Sequence, residues 1–200
     1  MLKQYSYACL QKGIEELSKS NPQNALVYFE MSLDTPDNLG EKIHPLQAKA
    51  HINYLKGVAL VDLGREDEAT KCFEASANEE GDFIDMAVSA YSELSYYSAL
   101  SFRKLKQEEK CVEMLTNIKE YGLKKLKQEA SIDYFATSLP LLLVFEDNLQ
   151  KGNTVDATFL IALSEYGLGN KNEAYKLSKE ILSLNTSHIG AKDMIDELKL

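Results

Sequence analysis

The chain of 200 residues carries 31 acidic and 22 basic residues, a formal charge of −9, and a hydrophobic fraction of 44%. This hydrophobic fraction excludes a disordered chain, and the acidic excess argues against nucleic acid or an anionic membrane as a partner. Cys9, Cys72 and Cys111 are too few for a disulfide framework. Because the start lacks the apolar core of a signal peptide and the apolar run 139–145 is too short to span a membrane, we expect a cytoplasmic protein.

Apolar residues recur at three- and four-residue spacing along most of the chain, which predicts an all-α protein of a single domain over residues 1–200. Polar clusters containing Gly, Asn, Asp or Ser divide this pattern into helices. We predict four helical hairpins, an inserted helical segment before the fourth, and a capping helix. In chain order these are hairpins at about 2–33, 45–78 and 84–128, the inserted segment 131–150, a hairpin at about 154–184 and the capping helix 188–199.

The inserted segment 131–150 contains Pro140 within a run of apolar residues. A helix that is apolar on every side cannot lie on a surface with one face to solvent. We therefore expect this segment to be buried between the third and fourth hairpins, with a structural role. An exposed hook for a partner or for a second copy is the alternative.

The predicted hairpins share a spacing of small residues. In the second, Gly57 precedes Ala69 by twelve positions, and Phe73 follows four residues later. Two helices approach closely where both carry small side chains, and a larger side chain one turn on fills the adjacent space. The matching residues of the other hairpins are Gly13, Ala25 and Phe29, then Ala99, Cys111 and Leu115, then Ala162 and Ala174.

This pattern resembles the tetratricopeptide repeat (TPR) family, whose consensus pairs small residues in two helices and places an aromatic residue one turn later. The turns Leu63-Gly64 and Leu168-Gly169 match that family's turn signature. The consensus Trp is missing, since Cys9, Asn53, Ser95 and Thr158 stand in its place. The resemblance implies a right-handed superhelix of about four antiparallel hairpins that is irregular, because the small-residue anchors are unevenly spaced along the chain.

A narrower resemblance covers residues 21–41, 96–122 and 132–153. These segments are similar to the C-terminal repeat region of certain large bacterial proteins, in which a β-rich domain with a suggested relation to sugar-active enzymes precedes the helices. This implies a second hypothesis for function, that the chain is an accessory C-terminal domain of a larger, carbohydrate-active bacterial enzyme.

The TPR resemblance also implies which side chains line the inside of the curve. They are mainly aliphatic and aromatic, a composition typical of surfaces that bind protein. We therefore predict a non-catalytic module for protein–protein interaction, a scaffold or adaptor that binds a helix or an extended peptide there. A helix of the same chain could instead fill this groove. The predicted lining is Tyr7, Leu10, Ile14, His51, Tyr54, Val58, Tyr96, Leu100, Arg103, Phe159, Leu163 and Tyr166.

Charge is unevenly distributed, with acidic residues concentrated in 62–93 and basic residues in 103–127. Opposite patches of this kind could orient a charged partner or pair two copies as a homodimer. We expect neither nucleic acid nor a membrane as a partner, and the partner protein is not identified by the sequence.

No pattern of residues predicts catalysis. His44, His51 and His188 are too dispersed for a metal site, and the cysteines fall at or beside packing positions, so we expect no metal, no cofactor and no enzymatic activity.

Overall fold

A computed structural model describes residues 2–34, 36–40, 48–79, 82–84, 87–130 and 149–199. The fold of these residues is helical, as the sequence predicts. A 3-10 turn at Asp37–Leu39 follows the second helix, and a small antiparallel hairpin, β1 Asp82–Ile84 and β2 Ala87–Ser89, precedes the fifth. The helices are α1 Leu2–Ser18, α2 Pro22–Leu33, α3 Ala50–Asp62, α4 Glu66–Ala77, α5 Ser95–Lys104, α6 Glu108–Leu126, α7 Leu149–Gly167, α8 Lys171–Leu184 and α9 Ile189–Leu198.

Each helix packs against the next one in the chain, from α1 to α9. Contacts also join α1 to α3, α3 to α5 and α5 to α7. The first helices of successive hairpins therefore form one continuous row, and each of the helices α2, α4 and α6 contacts the first helices before and after it. None of the helices in the described ranges is long and apolar enough to cross a membrane.

The turns between the paired helices have the same geometry four times. In each, a residue with positive φ stands two positions before the second helix, and the next amide N–H donates to the carbonyl five residues earlier. These residues are Ser20 (57°), Gly64 (71°), Lys106 (61°) and Gly169 (88°). The hydrogen bonds are Asn21 to Glu16, Arg65 to Leu60, Gln107 to Phe102 and Asn170 to Glu165, at 2.8–2.9 Å. This is the left-handed ending common at helix C-termini.

Small side chains lie at the close crossing of each pair. The anchor in the second helix, five residues after the left-handed residue, is buried in all four hairpins as Ala25, Ala69, Cys111 and Ala174. A Cβ atom built on Gly13 would lie 2.3 Å from the Phe29 ring, and one on Gly57 would lie 2.5 Å from the Phe73 ring. The backbone of the first helix therefore rests directly on an aromatic ring in the first two hairpins.

The buried residues form two clusters. One, around Phe29 and Phe73, belongs to α1–α4, and the other, around Leu115 and Phe159, belongs to α5–α9. Tyr54 packs at the edge of the first cluster and Tyr97 at the edge of the second. Their rings meet at 5.7 Å between centroids, so this pair joins the two clusters.

Two boundaries differ from the prediction. Helix α5 begins at Ser95, whereas we predicted a hairpin from about residue 84, because the chain first forms β1 and β2. Strands of three residues are too short to leave a clear period-two pattern in the sequence. Helix α7 begins at Leu149, within the predicted inserted segment, and residues 131–148 of that segment lie outside the described residues.

Candidate protein-binding surface

Nine of the twelve predicted groove residues reach the surface. Tyr7 and Ile14 on α1 are the most exposed, at 49% and 38%. The other seven are half-buried and lie on the first helices of the hairpins, so the row of first helices carries them all. They are Leu10 on α1; His51, Tyr54 and Val58 on α3; Leu100 and Arg103 on α5; and Tyr166 on α7.

The remaining three predicted residues are core residues, which corrects the sequence prediction. Tyr96, Phe159 and Leu163 are 8%, 6% and 9% exposed and belong to the cluster of α5–α9. The start of α9 covers Phe159, since the His188 ring lies 4.5 Å from its ring and a Cβ on Gly190 would lie 2.4 Å from it. Tyr96 lies beneath the end of α7, where a Cβ on Gly167 would come within 3.0 Å of its ring.

Aromatic rings from α3 and α5 form a connected cluster. Tyr97 lies at its centre, with ring centroids 6.1 Å from His51, 5.7 Å from Tyr54 and 5.8 Å from Tyr96. Tyr54 also contacts the Phe73 ring at 5.9 Å, so the core of the second hairpin supports the cluster. Tyr166 on α7 borders the same depression as Tyr96. We call Tyr54, Tyr96, Tyr97 and Tyr166 the tyrosine cluster.

Helix α9 reaches back to this cluster through Glu197. The Tyr166 hydroxyl donates a hydrogen bond of 2.5 Å to the Glu197 Oε1 atom. Burial, then this hydrogen bond, raise the pKa of Tyr166 to about 12. Burial also raises the pKa of Tyr97 to about 12 and that of Tyr54 above its usual value. All three hydroxyls are therefore protonated at neutral pH and can donate hydrogen bonds.

Arg103, the charged residue predicted for the groove, holds two hairpins together. Its guanidinium binds the Glu108 carboxylate at 2.8 Å and donates to the Gly167 carbonyl oxygen at 3.0 Å. The hydrogen bond that Arg103 donates to the Glu108 carboxylate raises the pKa of Arg103 above its usual value. Tyr96, Arg103, Tyr166 and the turn 167–169 border a shallow depression of about 490 Å³.

Sequence reasoning missed Tyr97 and Glu197. Tyr97 is adjacent to Tyr96, and the TPR resemblance implies Tyr96 as the groove residue. The structure buries Tyr96 and leaves Tyr97 half-exposed, so the pair of adjacent tyrosines is the signal that could have found it. Nothing in the local pattern of α9 distinguishes Glu197 from its acidic neighbours, because its role depends on contact with α7.

Within the described residues, the cysteines and histidines do not come together in one site. Cys9 and Cys111 are buried, and burial raises the pKa of Cys72 and of Cys111, which disfavours a reactive thiolate. His51 lies in the aromatic cluster, His188 caps α9 by accepting a hydrogen bond from the Ala191 amide, and His44 lies outside the described residues. No family model matches the chain.

Proposed function

We propose that the chain is a TPR-like helical-repeat protein that binds a segment of a partner protein on the inner surface of a right-handed superhelix. In this proposal the surface consists of the exposed faces of α1, α3, α5 and α7, and the protein has no catalytic activity. The recurring turn, the buried small-residue anchors and the row of first helices support the TPR-like arrangement.

The observation that carries the proposal is the aromatic surface on consecutive first helices. Tyr54, Tyr97 and Tyr166 lie on α3, α5 and α7 and are half-buried. Half-buried tyrosines supply a large rigid contact area at small entropic cost, together with a hydroxyl that can select a polar partner group. Aromatic side chains in this setting are typical of the centre of a protein–protein interface.

Site-specific photo-crosslinking in a lysate of the source cells tests this proposal. A benzophenone amino acid is placed at Tyr7 or Tyr54 on the proposed surface and, as a matched control, at Tyr175 on α8. We expect discrete adducts with the same protein from Tyr7 and Tyr54 and none from Tyr175. Adducts formed only from Tyr175 would show that the opposite surface is the binding surface.

A second measurement removes the two aromatic side chains that join the core clusters, so the fold of each variant is checked alongside binding. The double variant Tyr54→Ala and Tyr97→Ala should abolish the adduct formed from Tyr7, while Tyr175→Ala should leave it unchanged. Circular dichroism of each variant confirms that the helices remain. Undiminished adduct from Tyr7 in the folded double variant would refute a role for the tyrosine cluster.

A further inference from the structure

The start of α9 is capped by the ring of His188. The Nδ1 atom of His188 accepts a hydrogen bond of 3.1 Å from the Ala191 amide. Because Nδ1 accepts, it carries no proton, and the ring is the neutral form with its proton on Nε2. The caps of α2, α3, α4, α5, α6 and α8 include no side-chain hydrogen bond of this kind. Compared with these described helices, α9 is the one whose start depends on a titratable group.

The same ring packs against the core of the last hairpin. Its centroid lies 4.5 Å from that of the Phe159 ring on α7, and a Cβ atom on Gly190 would lie 2.4 Å from the Phe159 ring. The first turn of α9 therefore fits closely over Phe159, and the His188 ring is part of this contact. Burial in this place disfavours the charged ring and lowers the pKa of His188.

The charges around the ring do not reverse this preference. Asp156 of α7 is the charged group within the described residues whose field raises the pKa of His188, and burial outweighs it. The Asp156 carboxylate lies 3.4 Å from the Nζ atom of Lys125 on α6, which offsets part of its charge. In the described part of α8 no charge alters the pKa of His188, and on α9 itself Lys192 is exposed. The positive end of the α9 dipole also disfavours a cation at this position.

Helix α9 joins α7 and α8 through contacts along its whole length. At its start it covers Phe159, and in its middle the Met194 sulfur lies 3.1 Å from the Ser178 hydroxyl of α8. Near its end the Glu197 carboxylate accepts a hydrogen bond from the Tyr166 hydroxyl of α7. The position of α9 therefore decides whether Phe159 is covered and whether the Tyr166 hydroxyl has its partner.

We propose that the docking of α9 on α7 and α8 is sensitive to pH through His188, because protonation of this ring removes the acceptor that caps the helix and releases its start from Phe159. A proton taken up at Nδ1 turns the acceptor into a donor, and this donor then faces the N–H of Ala191. Release of α9 exposes Phe159 and frees the Tyr166 hydroxyl, which enlarges the aromatic surface on α7.

The direction of the effect follows from the two states of the ring. In the undocked helix the pKa of His188 is near its ordinary value of about 6.5, and in the docked helix it is lower. The undocked state therefore takes up the proton first as the pH falls. Docking is strongest above about pH 6.5 and weakens from there down to the lower pKa of the docked ring.

Hydrogen–deuterium exchange of the full chain, followed by mass spectrometry, measures the docking of α9. After correction for the intrinsic exchange rate at each pH, we expect the protection of α9 amides to fall about threefold or more between about pH 7.5 and about pH 5.5. Helix α2, which has no side-chain cap, is the internal reference and should change by less than about twofold. Unchanged protection of α9 relative to α2 would overturn the proposal.

The matched variant is His188→Asn, because asparagine is a strong N-cap that does not titrate in this range. We expect the protection of its α9 amides to differ by less than about twofold between the two pH values. A loss at low pH that persists in this variant would show that another group titrates, and it would overturn the proposal. If asparagine leaves α9 undocked at both pH values, His188→Asp, a cap that stays ionised in this range, is judged by the same criterion.

NMR titration of the imidazole nitrogens tests the geometry in the unchanged protein. We expect His188 to carry its proton on Nε2 at neutral pH and to titrate below about pH 6.5. A ring protonated on Nδ1, or a titration above that pH, would overturn the capping role. These measurements involve no partner, so a negative result overturns the pH dependence of α9 and leaves the proposed binding surface standing.

Discussion

The first two hairpins and the last two reach the same close helix crossing with different side chains. In α1–α4 the first helix carries a glycine, Gly13 or Gly57, and the second carries a phenylalanine whose ring fills the space. In α5–α6 the pair is Ala99 and Leu115, both fully buried. Compared with the first two hairpins, the third thus has a larger residue on its first helix, Ala for Gly, and a smaller one on its second helix, Leu for Phe.

The fourth hairpin extends this comparison. Ala162 lies on its first helix, and Ser178 takes the position of the phenylalanines. The space is filled from outside the hairpin, because Met194 of α9 lies with its sulfur 3.1 Å from the Ser178 hydroxyl. The turn geometry and the total side-chain volume at the crossing are therefore repeated along the chain, whereas residue identity is not. Volume-conserving exchanges of this kind are the ones that cores tolerate best.

The largest effect is expected from removing the phenylalanine ring that fills a helix crossing in the first half of the molecule. Phe73 is 4% exposed and supports both Gly57 and Tyr54. We expect Phe73→Ala to lower the free energy of unfolding by about 3–5 kcal/mol. Urea denaturation followed by circular dichroism measures this. The exposed Val112→Ala on α6 is the control and should change it by less than about 0.5 kcal/mol. A loss below about 1 kcal/mol for Phe73→Ala would contradict the packing described.

The second prediction concerns a double variant that replaces the glycine–phenylalanine pair of the second hairpin by the alanine–leucine pair of the third. A Cβ at Gly57 would lie 2.5 Å from the Phe73 ring, so Gly57→Ala should cost about 1–3 kcal/mol although alanine favours helix. Adding Phe73→Leu recreates the Ala99–Leu115 pair of the third hairpin. We expect the double variant to lose less than the sum of the two single variants, with a coupling of at least about 1 kcal/mol. Additive losses would mean that the two halves are not equivalent.

These side chains also show how far the sequence predicts the fold. The small anchors and the turns follow from local spacing, and Ala25, Ala69, Cys111 and Ala174 are buried where the spacing puts them. The burial of Phe159 and the position of Glu197 depend on where α9 docks. Docking of another helix leaves no signal in the repeat pattern of the helix it covers, which is why the TPR resemblance implies a groove position for Phe159.

The third prediction concerns a buried carboxylate that distinguishes the fourth hairpin from the first. In both, an asparagine after the turn donates to a glutamate five residues earlier, Asn21 to Glu16 and Asn170 to Glu165. Glu165 is 5% exposed and also binds Lys119 of α6 at 2.6 Å, whereas Glu16 has Lys19 of its own hairpin at 3.6 Å. Burial raises the pKa of Glu165, but the bonds from Lys119 and Asn170 outweigh it, so the pKa is lowered overall.

Lys119→Met should therefore cost about 1–2 kcal/mol at pH 7, because one oxygen of the Glu165 carboxylate loses its charged partner. A lowered pKa stabilises the folded protein above the unfolded value, near pH 4.3, and this stabilisation is lost as the pH falls through the lower folded value. The difference between the two proteins should shrink across that window, as measured by urea denaturation at pH 7 and at about pH 3. The variant Lys19→Met, at the first hairpin, is the matched control and should leave the free energy of unfolding nearly unchanged, because Lys19 is exposed to solvent. A difference that is constant with pH would contradict the ion pair.

The smallest predicted change in stability tests whether the four turns are equivalent. Gly64 and Gly169 occupy the left-handed position in two turns, and Ser20 and Lys106 occupy it in the others. A left-handed conformation costs a residue with a side chain at least about 1 kcal/mol, whereas glycine adopts it freely and loses about 0.5 kcal/mol through its more flexible unfolded chain. Lys106→Gly, at an exposed position, should therefore stabilise the protein by about 0.5 kcal/mol and raise its Tm by about 1–2 °C. Differential scanning calorimetry resolves such a shift, and Gly64→Ala is the reciprocal control, expected to lower Tm. If Lys106→Gly instead lowers Tm, the Lys106 side chain stabilises its turn and the four turns are not equivalent despite their common backbone.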